Sequence, residues 1–363
     1  MVATAGRDVV RALTDERVVT ALIDRGAQSR ADLAAAAEVS RPTSSESVRR
    51  LVEVGLVRET AEVRKGAGRA GNLVDLGPAV GTALSVVVAP EGVTTEVLDV
   101  RGQVVTEQRV HLRGSRTRPS AAVRQALRGQ GGGPHVAAAV SVADPVDRTT
   151  GRAVELADAP FLTGSLDPRT LLAGVVAGPI EVDNDVNWAA RAELAAGAPG
   201  DFAYLHLGEG LGGAIVSEGA IVHGGRGLVG EVAHVVVAGP RGKAMPFTEV
   251  FAKLGLRQRD STALDVDAVL RLLDRDPGPV VRALAGVVAG VVAFADPSEL
   301  VLGGPWAAPA VAPVRAELSS YPRDVVVREA RVPDDAASRG VRDGAVALLR
   351  DRVLEQVRGT LGP

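Results

Sequence analysis

The sequence predicts an α/β protein that begins with a small, separately folded helical head. Three observations predict it. Residues 1–76 carry three short helical patterns, followed by two alternating segments around a basic, glycine-rich tip. From Gly81 onward, strand-length apolar runs alternate with helix-length amphipathic runs, which is how an α/β core reads. At 363 residues the chain exceeds one ordinary domain, so two or three compact units are expected.

Composition narrows the chemistry before any motif is read. Hydrophobic residues make up 46% and aromatics only 2%, so the cores must be built from Val, Leu and Ala. The formal net charge of −3 gives no global attraction to nucleic acid or membrane, so DNA contact would need a local basic surface. There is no cysteine, which excludes disulfides, thiolate-held zinc, iron–sulfur clusters and a cysteine nucleophile. The N-terminal stretch has charges every few residues and no signal-peptide pattern. The longest apolar run, Ala283–Ala295, includes two glycines and reads as too short to cross a bilayer. A cytoplasmic protein with no membrane partner is expected.

In the head, Asp15–Arg25 sets Val18, Val19, Leu22 and Ile23 on one helical face, with Gly26 to close it. Ser29–Val39 starts on Ser29 as an N-cap and buries Leu33 and Val39. A tight break at Ser40-Arg41-Pro42 leads into Thr43–Val54, with Val48, Leu51 and Val52 inward and Gly55 as the stop. Two short helices around a tight turn form a helix-turn-helix pattern. Arg41, Thr43, Ser44, Ser45, Ser47 and Arg49 at the start of the second helix suit a major-groove reader, because small hydroxyls and Arg bond phosphates and base edges without bulk. Leu56–Thr60 and Asn72–Leu76 then read as strands of a wing whose tip carries Arg64, Lys65 and Arg69 for the minor groove.

The remainder opens with a β-meander, Thr82–Val88, Val93–Val100 and Gln103–Val110, turning at Arg101-Gly102. Pro119–Arg128 is helical and Val136–Val142 is a buried strand. Ile180–Val182, Ala203–Leu207 and Gly213–Val216 follow as strands. Helices are expected at Val186–Ala196, Phe247–Gly255, Val266–Leu273, Val280–Ala295 and Asp343–Arg358. No repeat of solenoid period is present.

Several segments, in order, carry a resemblance. Val182-Asp183-Asn184-Asp185-Val186-Asn187-Trp188-Ala189-Ala190-Arg191-Ala192-Glu193 resembles the "END-x-N-x-A-A-x-x-E" segment of the ROK family of repressors, open reading frames and kinases. Leu207–Ala214 resembles its "GTG-x-GGG" turn, Gly230–His234 its "GE-x-GH", and Asp296–Gly304 its "DP-x-x-I-V-x-GG" strand and turn. Pro145-Val146-Asp147, Gly151 and Leu156–Gly164 stand where the family has "GPVD…G" and the sugar-side loop. The resemblance covers almost the whole chain, head included. It implies a winged helix-turn-helix followed by a two-lobed, actin-like ATPase fold with a cleft between the lobes.

The expected organisation is a DNA-binding head at 1–76 and a sugar-kinase-like sensor at 77–363. Lobe 1 takes about 77–180 plus the C-terminal helix 343–363, and lobe 2 about 181–342.

By the same resemblance, Asn184, Asp185, Glu231, His234 and Glu249 hold a hexose, and Asp185 matches the general base of the kinases, here vestigial. Carboxylates, amides and imidazole suit this role because each bridges adjacent hydroxyls. Asn184 and Asp185 have a second reading as caps of the following helix, and His234 as a structural histidine.

The phosphate side departs from the family. Its "D-x-G-G-T" turn is replaced by Val88-Ala89-Pro90-Glu91-Gly92-Val93, where Pro90 lacks an N–H. Glu209 replaces a small hydroxyl residue in the second turn and would meet a triphosphate with like charge. The zinc-binding "C-x-C-G-x-x-G-C" segment is replaced by Ala238–Met245, held either by packing or by ligand. No zinc and no ATP are therefore expected as cofactors.

The expectation is a transcriptional regulator, with repression the favoured mode, that binds double-stranded operator DNA as a homodimer or homotetramer and senses a sugar or sugar derivative. A ROK sugar kinase with a DNA-binding head and a ligand-independent regulator are the alternatives.

Overall fold

The computed structural model describes residues 2–63, 72–112, 118–130, 135–154, 162, 165–324, 326–333 and 335–359. The head contains α1 (Val2–Arg25), α2 (Arg30–Ala36) and α3 (Arg41–Glu53), then β1 (Val57–Val63) and β2 (Asn72–Leu76). Ser29 caps α2 by accepting from the Asp32 N–H, and Ser40 caps α3 by accepting from the Thr43 N–H. The two strands pair antiparallel, with Val57 opposite Leu76 and Val63 opposite Asn72. Helix α1 starts well before the Asp15 that periodicity suggests. Val9, Val10 and Leu13 on its first half are exposed, so they write no buried stripe into the sequence.

Two five-stranded sheets of the same order build the rest. The first holds β3 (Ala83–Ala89), β4 (Gly92–Leu98), β5 (Val104–His111), β6 (Ala137–Val142) and β7 (Ile180–Asn184), in the order β5-β4-β3-β6-β7. It carries α4 (Pro119–Arg128) and α5 (Pro168–Leu172). Helix α6 (Asp185–Ala195) leads into the second sheet: β8 (Phe202–Leu207), β9 (Leu211–Ser217), β10 (Ala220–Ile221), β13 (Glu299–Gly303) and β14 (Val327–Glu329). Its order is β10-β9-β8-β13-β14. In each sheet an antiparallel meander of three strands is extended by two parallel ones.

Between β10 and β13 lie the hairpin β11 (Val236–Ala238) and β12 (Ala244–Pro246), then α7 (Phe247–Lys253), α8 (Val266–Arg275) and α9 (Gly278–Ala295). The chain continues with α10 (Ala307–Leu318) after β13 and with α11 (Ala336–Gly359) after β14. Strands β10, β11, β12 and β14 and helices α5 and α10 lie outside the expected elements.

The apolar run read as too short for a bilayer is the end of the 18-residue α9, which by length and composition alone is long enough to span one. Here Val280, Val281, Leu284 and Val288 pack into the core of the second lobe with Phe247, Phe251 and Trp306.

Helices α6 and α11 cross between the lobes. Trp188 on α6 is fully buried and donates to the Val140 carbonyl at 3.0 Å. On the other side of α6, Glu193 is fully buried, accepts from the Val332 N–H at 2.7 Å and pairs with Arg328 at 3.1 Å. The glutamate that ends the "END-x-N-x-A-A-x-x-E" segment is thus a structural tie. The head shares one core with the first lobe and α11: Val18, Leu22 and Leu51 join Ala83, Leu98 and Val100, and then Leu349, Val353 and Val357. Arg101, in the turn after β4, adds hydrogen bonds to Asp75 at 2.7 Å and to the Leu22 carbonyl at 3.0 Å.

Candidate functional site

Ends of strands from both sheets open into a cleft of about 690 Å³. From the first lobe come Pro90 and Glu91 in the β3–β4 turn, Ala143 and Pro145 after β6, and Asn184 and Asp185 at the end of β7. From the second come Gly208–Gly210 between β8 and β9 and the loop Gly227–Glu231. Gly230, at φ +100°, lets that loop pass against β9: a Cβ there would lie 1.9 Å from the Gly213 carbonyl oxygen, so no other residue fits. This contact places Glu231 in the cleft wall.

Asn184 caps α6, its side chain accepting from the Val186 N–H at 2.9 Å, and the Asp185 carboxylate accepts from the same N–H at 2.8 Å. Both therefore do the capping work expected of their residue types while still facing the cleft. Burial pushes the Asp185 carboxyl up to about 7, with the nearby charges of Asp144 and Glu231 adding to the rise and the Val186 N–H opposing it. A carboxyl poised near neutrality hydrogen-bonds hydroxyls in either protonation state. His206 lines the same cleft, and burial lowers its proton affinity.

Of the expected sugar-binding residues, the cleft brings together Asn184, Asp185 and Glu231. His234 and Glu249 are not among its lining residues. His234 is exposed on the short turn Val232–His234, and Glu249 on α7 is held by Arg257 at 3.0 Å. Most of Leu156–Gly164 lies outside the described residues.

The zinc-segment replacement, left open between packing and ligand, is the β11–β12 hairpin. Val236 pairs with Pro246, Val237 with Met245 and Ala238 with Ala244. Val237 is buried against Gly286 of α9. Backbone pairing, buried Val237 and half-buried Met245 hold this loop. The hairpin bears no thiolate, and no group of three or more His, Asp or Glu stands in metal-binding arrangement among the described residues, so it does not fit a zinc ion.

Residues that sequence reasoning passed over also shape the site. Asp144, buried one position before Pro145, adds its charge to the Asp185 environment. Asp183, buried one position before Asn184, takes Asn187 Nδ2 at 2.7 Å, His223 Nε2 at 2.8 Å and Arg191 at 3.4 Å, which fixes the start of α6. Asp183 stands within the segment that resembles "END-x-N-x-A-A-x-x-E", whereas the only signal for Asp144 is adjacency to Pro145-Val146-Asp147.

On the head, Arg41, Thr43, Ser45 and Arg49 are exposed along α3. Thr43 and Ser40 hydroxyls share a hydrogen bond at 2.7 Å, and Arg49 pairs with Glu53 at 2.7 Å. Ser44 and Ser47 correct the sequence reading. They are buried, because positions 44, 47, 48 and 51 form one i, i+3, i+4, i+7 stripe against the head core. The Ser47 hydroxyl donates to buried Asp15, which also takes Arg50 at 2.7 Å. Neither serine is exposed on the surface of α3. Arg64, Lys65 and Arg69 lie outside the described residues.

Comparison with known proteins agrees with this architecture. The ROK family model matches residues 91–250. The bifunctional enzyme NanE/NanK of Brucella melitensis is 31% identical over 162 residues, 39% of this chain and 31% of that protein. A glucokinase of Halalkalibacterium halodurans is 47% identical over 70 residues, 18% of this chain and 21% of that protein. The chain thus spans about a third or less of the length of these curated relatives.

Among solved structures, a ROK family transcriptional regulator described as a homolog of the E. coli MLC protein superposes with a TM-score of 0.61 at 17% identity, over 96% of this chain and 99% of that one. A ROK family glucokinase from Streptomyces griseus in complex with glucose and AMPPNP gives 0.52 at 20% identity, over 73% of this chain and 99% of that one. At these identities the likeness is one of fold. The central segment, residues 91–250, thus matches the ROK family model, and the fold is the one seen in ROK family structures.

Proposed function

We propose that the protein is a DNA-binding transcriptional regulator, a repressor in its expected mode, whose cleft senses a neutral sugar or polyol without phosphorylating it. One observation carries this reading: head, first lobe and α11 share a single hydrophobic core, so a change at the cleft reaches the DNA-facing helix through packed elements. The full-length likeness to a ROK transcriptional regulator, head included, supports it. The head ends at residue 76, and the sensor takes 77–363, with the first lobe at 77–180 plus the C-terminal helix and the second at 181–342. When ligand closes the cleft, the second lobe swings against the first, which carries the head. In a dimer, read here from the two-fold logic of operators, a small rotation mismatches half-sites spaced by a helical turn. The ligand must favour one lobe angle over the other for this to work.

Asn184, Asp185 and Glu231 bind the hydroxyls. His234 and Glu249 join them only if the cleft closes past its present geometry. The phosphate turns argue against transfer. Pro90 and Glu91 occupy the β3–β4 turn and Glu209 the β8–β9 turn, and both glutamates line the cleft. Two carboxylates and a proline nitrogen in place of hydroxyl and N–H donors repel a triphosphate. The DNA contacts come from Arg41, Thr43, Ser45 and Arg49, with Arg64, Lys65 and Arg69 on the wing.

A second reading, a sugar kinase with a DNA-binding head, is favoured by the near-neutral Asp185, poised as a base for a hydroxyl proton. A thermal-shift screen against mono- and disaccharides, their phosphates and ATP separates the two. Stabilisation of several degrees by one neutral sugar, without ATP, supports the sensor. An ATP–magnesium shift, with turnover lost in Asp185→Asn, supports the kinase. Silence across the sugars leaves a ligand-independent regulator.

A further inference from the structure

A second cavity of about 550 Å³ lies beside the cleft, where α6 and α11 cross between the lobes. It shares Glu91, Asp185 and His206 with the cleft and continues to Ser141, Glu329 and Asp335. Its walls come from β3 and β6 of the first lobe, from β8 and the start of α10 of the second, and from the first turn of α11.

Ser141 on β6 is fully buried, and its hydroxyl has no hydrogen-bond partner among the described residues. A buried hydroxyl left this way costs free energy until something in the cavity completes it. Around it stand four carboxylates, from Glu91, Asp185, Glu329 and Asp335, and no Lys or Arg among the lining residues. A water molecule would satisfy Ser141 but brings no positive charge to a wall that carries four carboxylates and no Lys or Arg. No group of three or more acidic or His side chains is gathered tightly enough for a metal ion among the described residues. Dispersed carboxylates around a cavity of this size match an organic cation instead.

We propose that this cavity is a second binding site, for a small aliphatic ammonium compound whose cation sits among Asp185, Glu329 and Asp335 while a neighbouring polar group completes Ser141. The occupant is held between both lobes and the N-terminal end of α11, so it sets the lobe angle. Helix α11 then runs 24 residues, about 36 Å at 1.5 Å per residue, to the head. The site is a regulatory one, and it stands whether or not a sugar occupies the larger cleft.

The test is calorimetric titration of the full chain at pH 8 and low salt with ethanolamine and putrescine, against their neutral counterparts ethylene glycol and 1,4-butanediol. The amines are expected to bind and the diols not. Glu329→Gln and Asp335→Asn, both at exposed positions, should each weaken the amines by about tenfold, the scale of one lost charge contact. Ser141→Ala, a change that keeps the fold, should weaken them severalfold. Glu231→Gln, whose side chain lines the larger cleft and reaches the amine site only through its charge on Asp185, should change amine affinity by less than about twofold at pH 8 while abolishing any sugar response, which distinguishes failure of the two sites. Equal binding of amines and diols, no binding of either amine at tens of millimolar, or unchanged affinity in the Glu329 and Asp335 variants overturns the proposal.

Discussion

Arg358, one residue from the end of α11, donates from Nε to Oε1 of Glu16 on α1 at 2.7 Å, so the last helix of the chain is tied to its first. Arg358 is exposed and Glu16 half-buried, and a pair open to solvent on one side contributes little by itself. It marks the rim of an apolar seam in which Leu349, Val353 and Val357 meet Val18, Val19 and Leu22.

That seam predicts cooperative melting of head and body. Leu349→Ala, at a fully buried position, should cost about 2–5 kcal/mol. Calorimetry should show one transition that moves as a whole, with amide exchange rising in α1 and α11 together. A head that melts in its own earlier transition contradicts the shared core.

Ser47 and Arg49, two residues apart on α3, should behave oppositely. Ser47→Ala leaves buried Asp15 short of a donor and should lower stability by about 1–3 kcal/mol without changing which DNA sites are preferred. Arg49→Ala should change stability by less than about 0.5 kcal/mol and alter DNA affinity or site preference. Denaturant melts and binding to selected duplexes check both.

Asp185 carries a pH signature. Its carboxyl, raised to about 7 in the fold from 3.8, binds its proton more tightly folded than unfolded. Its contribution to stability is therefore full below pH 4 and lost progressively as pH rises through 7. Asp144 and Glu231 are the neighbouring charges that add to this rise. Asp185→Asn should raise the melting temperature at pH 8, and the gain should shrink towards pH 5. A gain independent of pH removes the buried carboxyl from the explanation.

Gly340 on α11 marks where the crossing helices touch. A Cβ there would lie 2.0 Å from the Trp188 carbonyl oxygen, a backbone atom that cannot turn away. Gly340→Ala should therefore destabilise the chain by about 1–3 kcal/mol despite its better helix propensity, measured by denaturant unfolding. An increase in stability contradicts the close α6–α11 crossing.

The sequence makes much of this architecture legible where one local cause acts. Helix α4 runs from Pro119 to Arg128 as expected, because Pro119 sets its first turn and Gly129 follows its last. Helix α10 escapes reading because Pro313 stands inside it and its first eight residues, Ala307–Val314, include no polar side chain. Strand β14 is three residues, two of them charged. The matching order of the two sheets leaves no sequence repeat, since Val, Leu and Ala fill both cores interchangeably. In the cleft, Asn184, Asp185 and Glu231 are legible through motif resemblance. Asp183 with His223, forty residues apart, is not, because only the tertiary fold brings them together. Ser44 and Ser47 mislead because serine type suggests a surface while helical position decides burial.

The most direct test of the central claim is selection of duplex DNA from a random pool by the full chain, followed by anisotropy titration of the enriched sites with and without neutral sugars. The account predicts an enriched inverted repeat, lost in Arg49→Ala, and a change in affinity of about tenfold or more with one sugar, abolished by Glu231→Gln. Enrichment no greater than with the Arg49→Ala chain would contradict it.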